Sequence, residues 1–295
     1  MASNMEKQKR RRGDRRDAIW LRDIDPMHAI MPYVMPHRSE NETYLKITVD
    51  LTNALRFLNK KNEGRTEDKY TLFHLIATGF VKTITLRPKM NRFYQGARLY
   101  QRRELSLAFV VKKRFQDESH EALAFKSFGP ETTIDSLHAD LMQEIHQCRK
   151  ENQDDPTTGF MGFFMKFPRC ILRPVFFLIR RLDYYGRVPK ELIATDPGFA
   201  TVLISNLGSI GLDAAYHHLN NWGTNSIFAA IGKMREETVP QPDGSMLTHM
   251  VLDIGITLDE RIADGYYYSK TVRLLKHLLE NPELLEQKAC EEVEY

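Results

Sequence analysis

Alternating apolar positions mark the clearest strand in the chain. In "MLTHMVLDIGITLDE" (246–260), Leu247, Met250, Leu252, Ile254, Ile256 and Leu258 mostly fall two apart, the period of a strand with one buried face. "NSIFAAIGKMREETV" (225–239) reads as its partner, and "QPDGS" (241–245) as the turn between them. "YYYSKTVRLLKHLLENPELLEQ" (266–287) then changes to helical spacing. Upstream, "YLKITVDLTNALRFLNKKN" (44–62) predicts a strand followed by a helix, and "KYTLFHLIATGFVKTITLRP" (69–88) a buried helix stopped by Pro88. "ARLYQRRELSLAFVVKKRF" (97–115) gives two short strands with a turn near Arg102 and Arg103. "TTIDSLHADLMQEIHQCRKEN" (132–152) is an amphipathic helix with Thr133 or Asp135 as cap. "ATVLISNLGSIG" (200–211) is a strand entering a glycine turn. Strands and helices mix, and hairpin-like turns separate several strands. The expected class is therefore α/β or α+β with a mixed sheet.

Two segments depart from this pattern. Seven of the ten residues from Lys7 to Arg16 are Lys or Arg, so residues 1–20 read as a disordered basic arm. Residues 160–186, "FMGFFMKFPRCILRPVFFLIRRLDYYG", are rich in Phe, Leu, Ile and Met, but Lys166, Arg169, Arg173, Arg180 and Arg181 interrupt them. No uncharged stretch of 18 residues is left, so a transmembrane helix is not expected. Two readings remain: a helical insertion packed on its own domain or a neighbouring subunit, or an interface-lying amphipathic pair touching a membrane through residues 160–181.

Composition adds little. The 295 residues, 42% hydrophobic, can bury a sizeable core, and a net charge of +3 selects no partner. Cys148, Cys170 and Cys290 are too scattered for a disulfide framework or a metal cluster, which suits a reducing cytoplasm. No signal peptide is expected from the polar start. Nucleic-acid binding would rest on the basic arm alone and is not favoured.

The turn "LDERIADG" (258–265) carries the candidate chemistry: Asp259, Glu260, Arg261 and Asp264 cluster between the last strand and the last helix. In order, "ISNLGSIG" (204–211), "FAAIGK" (228–233), "GITLDERIADG" (255–265) and "LLENPELL" (278–285) resemble the catalytic domain of the 2-oxoacid dehydrogenase acyltransferases, relatives of chloramphenicol acetyltransferase. "YLKITVDLTNAL" and "HLIATGFVKTITLRPKMNRF" fit the same family. The resemblance covers about residues 28–287, apart from an insertion at about 155–195, and leaves an acidic tail at 288–295. It implies a single domain with a mixed sheet flanked by helices, assembled as a homotrimer with the site between subunits. Residues before 28 are too few for lipoyl or peripheral-subunit-binding domains, so a stand-alone form is expected. Coenzyme A would be the acyl donor, with no metal, and the acceptor an unknown small molecule.

The family's catalytic turn reads His-x-x-x-Asp-Gly. Here Asp264 and Gly265 match and Glu260 stands at the histidine position. Ser205 matches the family serine that stabilises the tetrahedral oxyanion, and Asp264 the aspartate that organises the turn. Three readings of the base stay open. Glu260 serves, its pKa raised by burial in an apolar channel. Alternatively, Glu260 merely pairs with Arg261 or another arginine, and the protein is a silent trimeric binding or scaffolding module. In the third, His217 or His218 in "AAYHHLNNWG" substitutes. The expected setting is cytoplasmic, with a membrane-peripheral variant.

Overall fold

The computed structural model describes residues 10–112, 121–150 and 166–295. A six-stranded sheet runs in the order β2 (Glu42–Asp50), β9 (Met246–Asp259), β8 (Ile227–Pro240), β7 (Val202–Asn206), β5 (Leu105–Lys112) and β6 (Glu121–Phe128). β7 is parallel to both β5 and β8, and the other pairs are antiparallel, so the sheet is mixed, as the sequence predicts. Alternation decides which face is buried. Ile47, Val49, Ile204, Ala229, Ile254, Ile256 and Leu258 enter one core with helices α2 (Thr52–Lys61), α3 (Leu72–Leu86), α4 (Ile134–Lys150) and α7 (Gly265–Glu280). α3 is buried at every position from His74 to Ile84, as a helix apolar all round should be. Of the two caps the sequence offers for α4, Thr133 is used: its hydroxyl accepts from the Ser136 N–H at 3.3 Å. Asp135 binds Lys61 and the Tyr70 hydroxyl instead.

His74 is a buried group with a pH signature. Its Nδ1 accepts from the Thr71 N–H at 3.1 Å, so its proton sits on Nε2, which is buried without a partner. Burial, with His138 4.7 Å away ring to ring, lowers its pKa from 6.5 to about 4. The unfolded chain therefore takes up this proton first as pH falls. The stability contribution is complete above pH 6.5 and is lost between there and about 4, a loss on the order of 3 kcal/mol. Urea titrations across this range should show the slope, and His74→Gln, which keeps an acceptor for Thr71 but cannot charge, should flatten it.

The basic arm is not what its composition suggests. Residues 1–9 lie outside the described residues, but residues 10–20 are packed on the body. β1 (Ala18–Trp20) pairs with β4 (Arg98–Arg102), which pairs with β3 (Arg92–Gln95), in a second sheet of three strands. Arg15 is 1% exposed: its guanidinium bonds Asp17 at 3.0 Å and the Asp183 carboxylate at 2.9 Å. Burial works to lower its pKa, and the two carboxylates outweigh that and raise it. Gln95 donates to the other Asp183 oxygen at 2.6 Å. Arg15→Ala should therefore cost about 3–5 kcal/mol by stranding Asp183, read as a large drop in the urea midpoint.

Asp183 belongs to α5 (Arg169–Tyr184), which precedes the short α6 (Lys190–Thr195). α5 is tethered by this ion pair and by Phe176 against Trp222, with ring centroids 5.6 Å apart. Its outer side leaves Phe177 67% and Leu178 59% exposed. Among the described residues no helix is long and apolar enough to cross a membrane. A further helix, α1 (Pro26–Val34), precedes β2 and exposes Met27, Ile30, Tyr33 and Val34. The acidic end is also packed: the Ala289 N–H bonds the Thr132 carbonyl at 2.9 Å, and Lys82 donates to the Lys288 carbonyl.

Candidate functional site

The second face of the main sheet holds the family-like motifs together. Segment 211–223 crosses it, and small residues permit the approach. A Cβ on Gly208 would lie 2.4 Å from the Gly232 carbonyl, one on Gly232 2.4 Å from the Ala214 nitrogen, and one on Gly255 2.3 Å from the Ala215 carbonyl. The glycines of "ISNLGSIG", "FAAIGK" and "GITLDE" are thus successive steps of one backbone contact. Tyr216 packs on Tyr44 at 5.4 Å, and the His217 ring stacks on Phe228 at 4.3 Å and on His218 at 4.4 Å.

Ser205 lies on this face near the end of β7, opposite Ala230 of β8. It is half-buried, and among the described residues its hydroxyl has no hydrogen-bond partner. Leu203, Leu219, Phe228 and Ala230 form a small apolar cluster beside it. His217 and His218 are exposed, and His217 Nδ1 contacts the His218 carbonyl at 2.7 Å. Phe228, beneath His217, is one strand across and two residues along from Ser205, about 8 Å by strand geometry.

The 259–264 turn divides its charges between structure and surface. Asp259 is fully buried and accepts from Arg261 Nε at 2.8 Å and Nη2 at 2.7 Å. Arg261 also donates to the Met35 carbonyl at 3.0 Å and lies over the Tyr94 ring. Arg38, equally buried, approaches Asp259 at 3.8 Å and binds the carbonyls of Tyr94, Asn220 and Gly223. Burial lowers its pKa, and Asp259 works against that. The Tyr268 hydroxyl donates to the Asp259 carbonyl and accepts from the Ala263 N–H, both at 3.0 Å. Burial raises its pKa well above that of a free phenol. Asp264 caps α7, accepting from the Tyr267 N–H at 2.8 Å. That bond, with Lys89 at 3.8 Å, holds its carboxyl below the usual range.

Glu260 is what this scaffold presents. Its N–H is fixed to the Asn41 carbonyl at 2.9 Å while its side chain is exposed, accepting only from the Thr43 hydroxyl at 3.2 Å. Two sequence expectations are corrected here. Arg261 pairs with Asp259 rather than Glu260, because Asp259 caps the short turn Glu260–Ile262, accepting from the Arg261 N–H at 3.2 Å, and so lies buried beside the guanidinium while the Glu260 side chain is exposed. And among the described residues no apolar channel surrounds the exposed Glu260 side chain. Nor does one chain bring Glu260 to Ser205. The Ser205 row runs through Ala230 to Gly255, and Glu260 lies five residues beyond Gly255, so the two are about 20 Å apart. Sequence reasoning missed Arg38, Tyr268 and Thr43, which hold or touch the turn. Only Thr43 and Tyr268 carried a signal, as neighbours of a strand start and a helix start.

No curated protein matches the chain by sequence. Residues 190–286, which contain Ser205, the His217–His218 loop and the 259–264 turn, match the family model described as 2-oxoacid dehydrogenases acyltransferase (catalytic domain). Among solved structures, the cubic core of the pyruvate dehydrogenase multienzyme complex aligns with a TM-score of 0.59 at 14% identity, covering 89% of this chain and 93% of that one. The Azotobacter vinelandii dihydrolipoamide acetyltransferase, whose catalytic mechanism has been investigated at a serine, a histidine and an asparagine, aligns at 0.58 and 14%, with the same coverage. A chloramphenicol acetyltransferase aligns at 0.52 and 11%, covering 89% and 99%. Residues 190–286 thus match the catalytic-domain model of the 2-oxoacid dehydrogenase acyltransferases, and the chain as a whole shares the fold of these acyltransferase cores and of chloramphenicol acetyltransferase.

Proposed function

We propose that the protein is an acyltransferase that moves an acyl group from a coenzyme A thioester to a small acceptor, at a site completed between subunits of a homotrimer. The observation that carries this reading is the 259–264 turn. Buried Asp259, Arg261, Arg38 and Tyr268 hold it rigidly, yet they present one exposed carboxylate, Glu260, about 20 Å from the free Ser205 hydroxyl of the same chain. A second copy would bring its own serine to this turn. Exposed Ile210, Leu212 and Tyr216 beside the Ser205 strand supply apolar surface for such a contact. Covered by the neighbour, Glu260 would be desolvated, the condition under which a carboxylate takes a proton from an acceptor thiol or hydroxyl. Ser205 would donate to the oxyanion, and the leaving thiolate of coenzyme A would take up the proton. Asp264 and Arg261 act through the turn rather than on substrate.

The test is transfer from acyl-coenzyme A to thiol, hydroxyl and amine acceptors, with Ser205→Ala as control. Loss of activity in His217→Ala or His218→Ala, with Glu260→Gln fully active, would move the base to that loop. A second reading, a silent trimeric scaffold held at a membrane surface of the cytoplasm, is favoured only by α5, which exposes Phe177 and Leu178 beside Arg173, Arg180 and Arg181. No turnover on any acceptor, together with sedimentation on anionic vesicles that Phe177→Ser abolishes, would favour it.

A further inference from the structure

The packed N-terminal residues build a cleft that acyl transfer does not use. It has a volume of about 710 Å³ and is lined by Arg10, Arg11, Arg12, Arg98 and Arg187, with Trp20 and Tyr185. Five arginines therefore line one concavity. Among the described residues its one acidic side chain, Asp14, is 4% exposed and already engaged: its carboxylate accepts from the Arg11 N–H at 2.8 Å and the Trp20 N–H at 3.1 Å, with Arg22 at 3.8 Å. Among the described residues none of the five arginines forms an ion pair with a carboxylate. Gathering like charges in one cleft is unfavourable unless an anion joins them.

The cleft is built rather than an accident of floppy side chains. Trp20 carries the guanidinium groups of Arg98 at 4.3 Å and Arg22 at 4.6 Å over its ring. The 10–14 turn closes through the Asp14 N–H to the Arg11 carbonyl at 3.1 Å and Arg10 Nε to the Asp14 carbonyl at 3.1 Å. Gly13, at φ +94°, folds this turn against Trp20, where a Cβ would lie 3.0 Å from the ring. The opposite wall, Tyr185 to Arg187, is anchored by Arg15 on Asp183. Arginine presents forked donors that match phosphate oxygens in pairs, which lysine cannot do.

We infer that this cleft binds a phosphate-bearing ligand, a phosphate ester or diphosphate held by its arginine ring. The ligand can come from solution or from the headgroup of an anionic phospholipid, since α5 ends at Tyr184 against the cleft wall. The inference does not depend on the acyl-transfer reading, because Glu260 and Ser205 lie outside the cleft. The test uses the full chain with inorganic pyrophosphate as probe in one arm, and phosphatidic acid vesicles against neutral phosphatidylcholine vesicles in the other. Pyrophosphate should raise the melting temperature in a saturable way that weakens with salt. The double variant Arg12→Gln/Arg187→Gln, at two exposed positions, should weaken binding about tenfold or more with an unchanged melting temperature of the free protein. Saturable pyrophosphate binding with no vesicle sedimentation assigns a soluble ligand. Sedimentation with phosphatidic acid that pyrophosphate competes away assigns the headgroup. Binding in neither arm, equal binding by the double variant, or oligonucleotide binding that pyrophosphate does not displace would overturn the inference.

Discussion

Glu260→Gln should lower the rate of acyl transfer by roughly 10²–10⁴-fold, the usual worth of a positioned general base. Glutamine keeps the length and the acceptor oxygen that receives the Thr43 hydroxyl, but it cannot take a proton. The melting temperature should barely move. The side chain is exposed and has one partner, and substitutions at such positions stay within about 0.5 kcal/mol. The experiment is a pair of measurements, kcat with the best acceptor and a thermal melt. Full activity in the variant would remove Glu260 from the chemistry, and a collapse of the melt would make it structural.

Asp259→Asn, one residue away, should do the opposite. Asp259 is fully buried, paired to Arg261 through two bonds and approached by Arg38. Removing its charge leaves two buried guanidinium groups facing an amide. Breaking a buried pair in this way costs about 3–5 kcal/mol, because the surviving ion has lost the hydration it had in the unfolded chain. In a chain of this size that corresponds to a fall in melting temperature of about 5–8 °C. Activity should fall as well, since Arg261 would no longer hold the Glu260 backbone in place. A small drop in stability would mean that water reaches the pair and that the turn is not as rigid as its bonds indicate.

The contrast between neighbours shows what the sequence could and could not convey. Alternation in β9 was readable because Leu252, Ile254, Ile256 and Leu258 all face one core. The same alternation puts Asp259 on the opposite face from Leu258, where Arg261 and Arg38 bury it, and the turn that starts at Glu260 ends the alternation; three ionisable residues in a row, Asp259 to Arg261, give no hint of this. α3 was legible because its whole circumference is buried and Pro88 follows it. Of the small sheet only β4 was readable, as the first of the two strands at 97–115; β1 lies behind the basic run and β3 is four residues long, so neither gives a signal, and nothing showed that β4 buries Gln101 and Arg102 against backbone carbonyls. Arg102 has no carboxylate in contact, and burial lowers its pKa to about 9. The basic run hid Arg15 for a different reason, since its partner Asp183 is 168 residues away. Ser205 and Glu260 were both singled out from sequence as candidates, but nothing in the sequence showed that one chain holds them about 20 Å apart.

Subunit complementation tests that relation most directly. Chains carrying Glu260→Gln and chains carrying Ser205→Ala should each be nearly inactive alone. Mixed oligomers made by co-expression should regain activity, because an interface that joins Ser205 of the first chain to Glu260 of the second is intact. With random assembly in equal amounts, about a quarter of interfaces in a cyclic trimer would be restored. Recovery near that fraction would place the reaction between subunits. Mixed oligomers no more active than either parent, or a wild-type chain that turns over as a monomer, would contradict it.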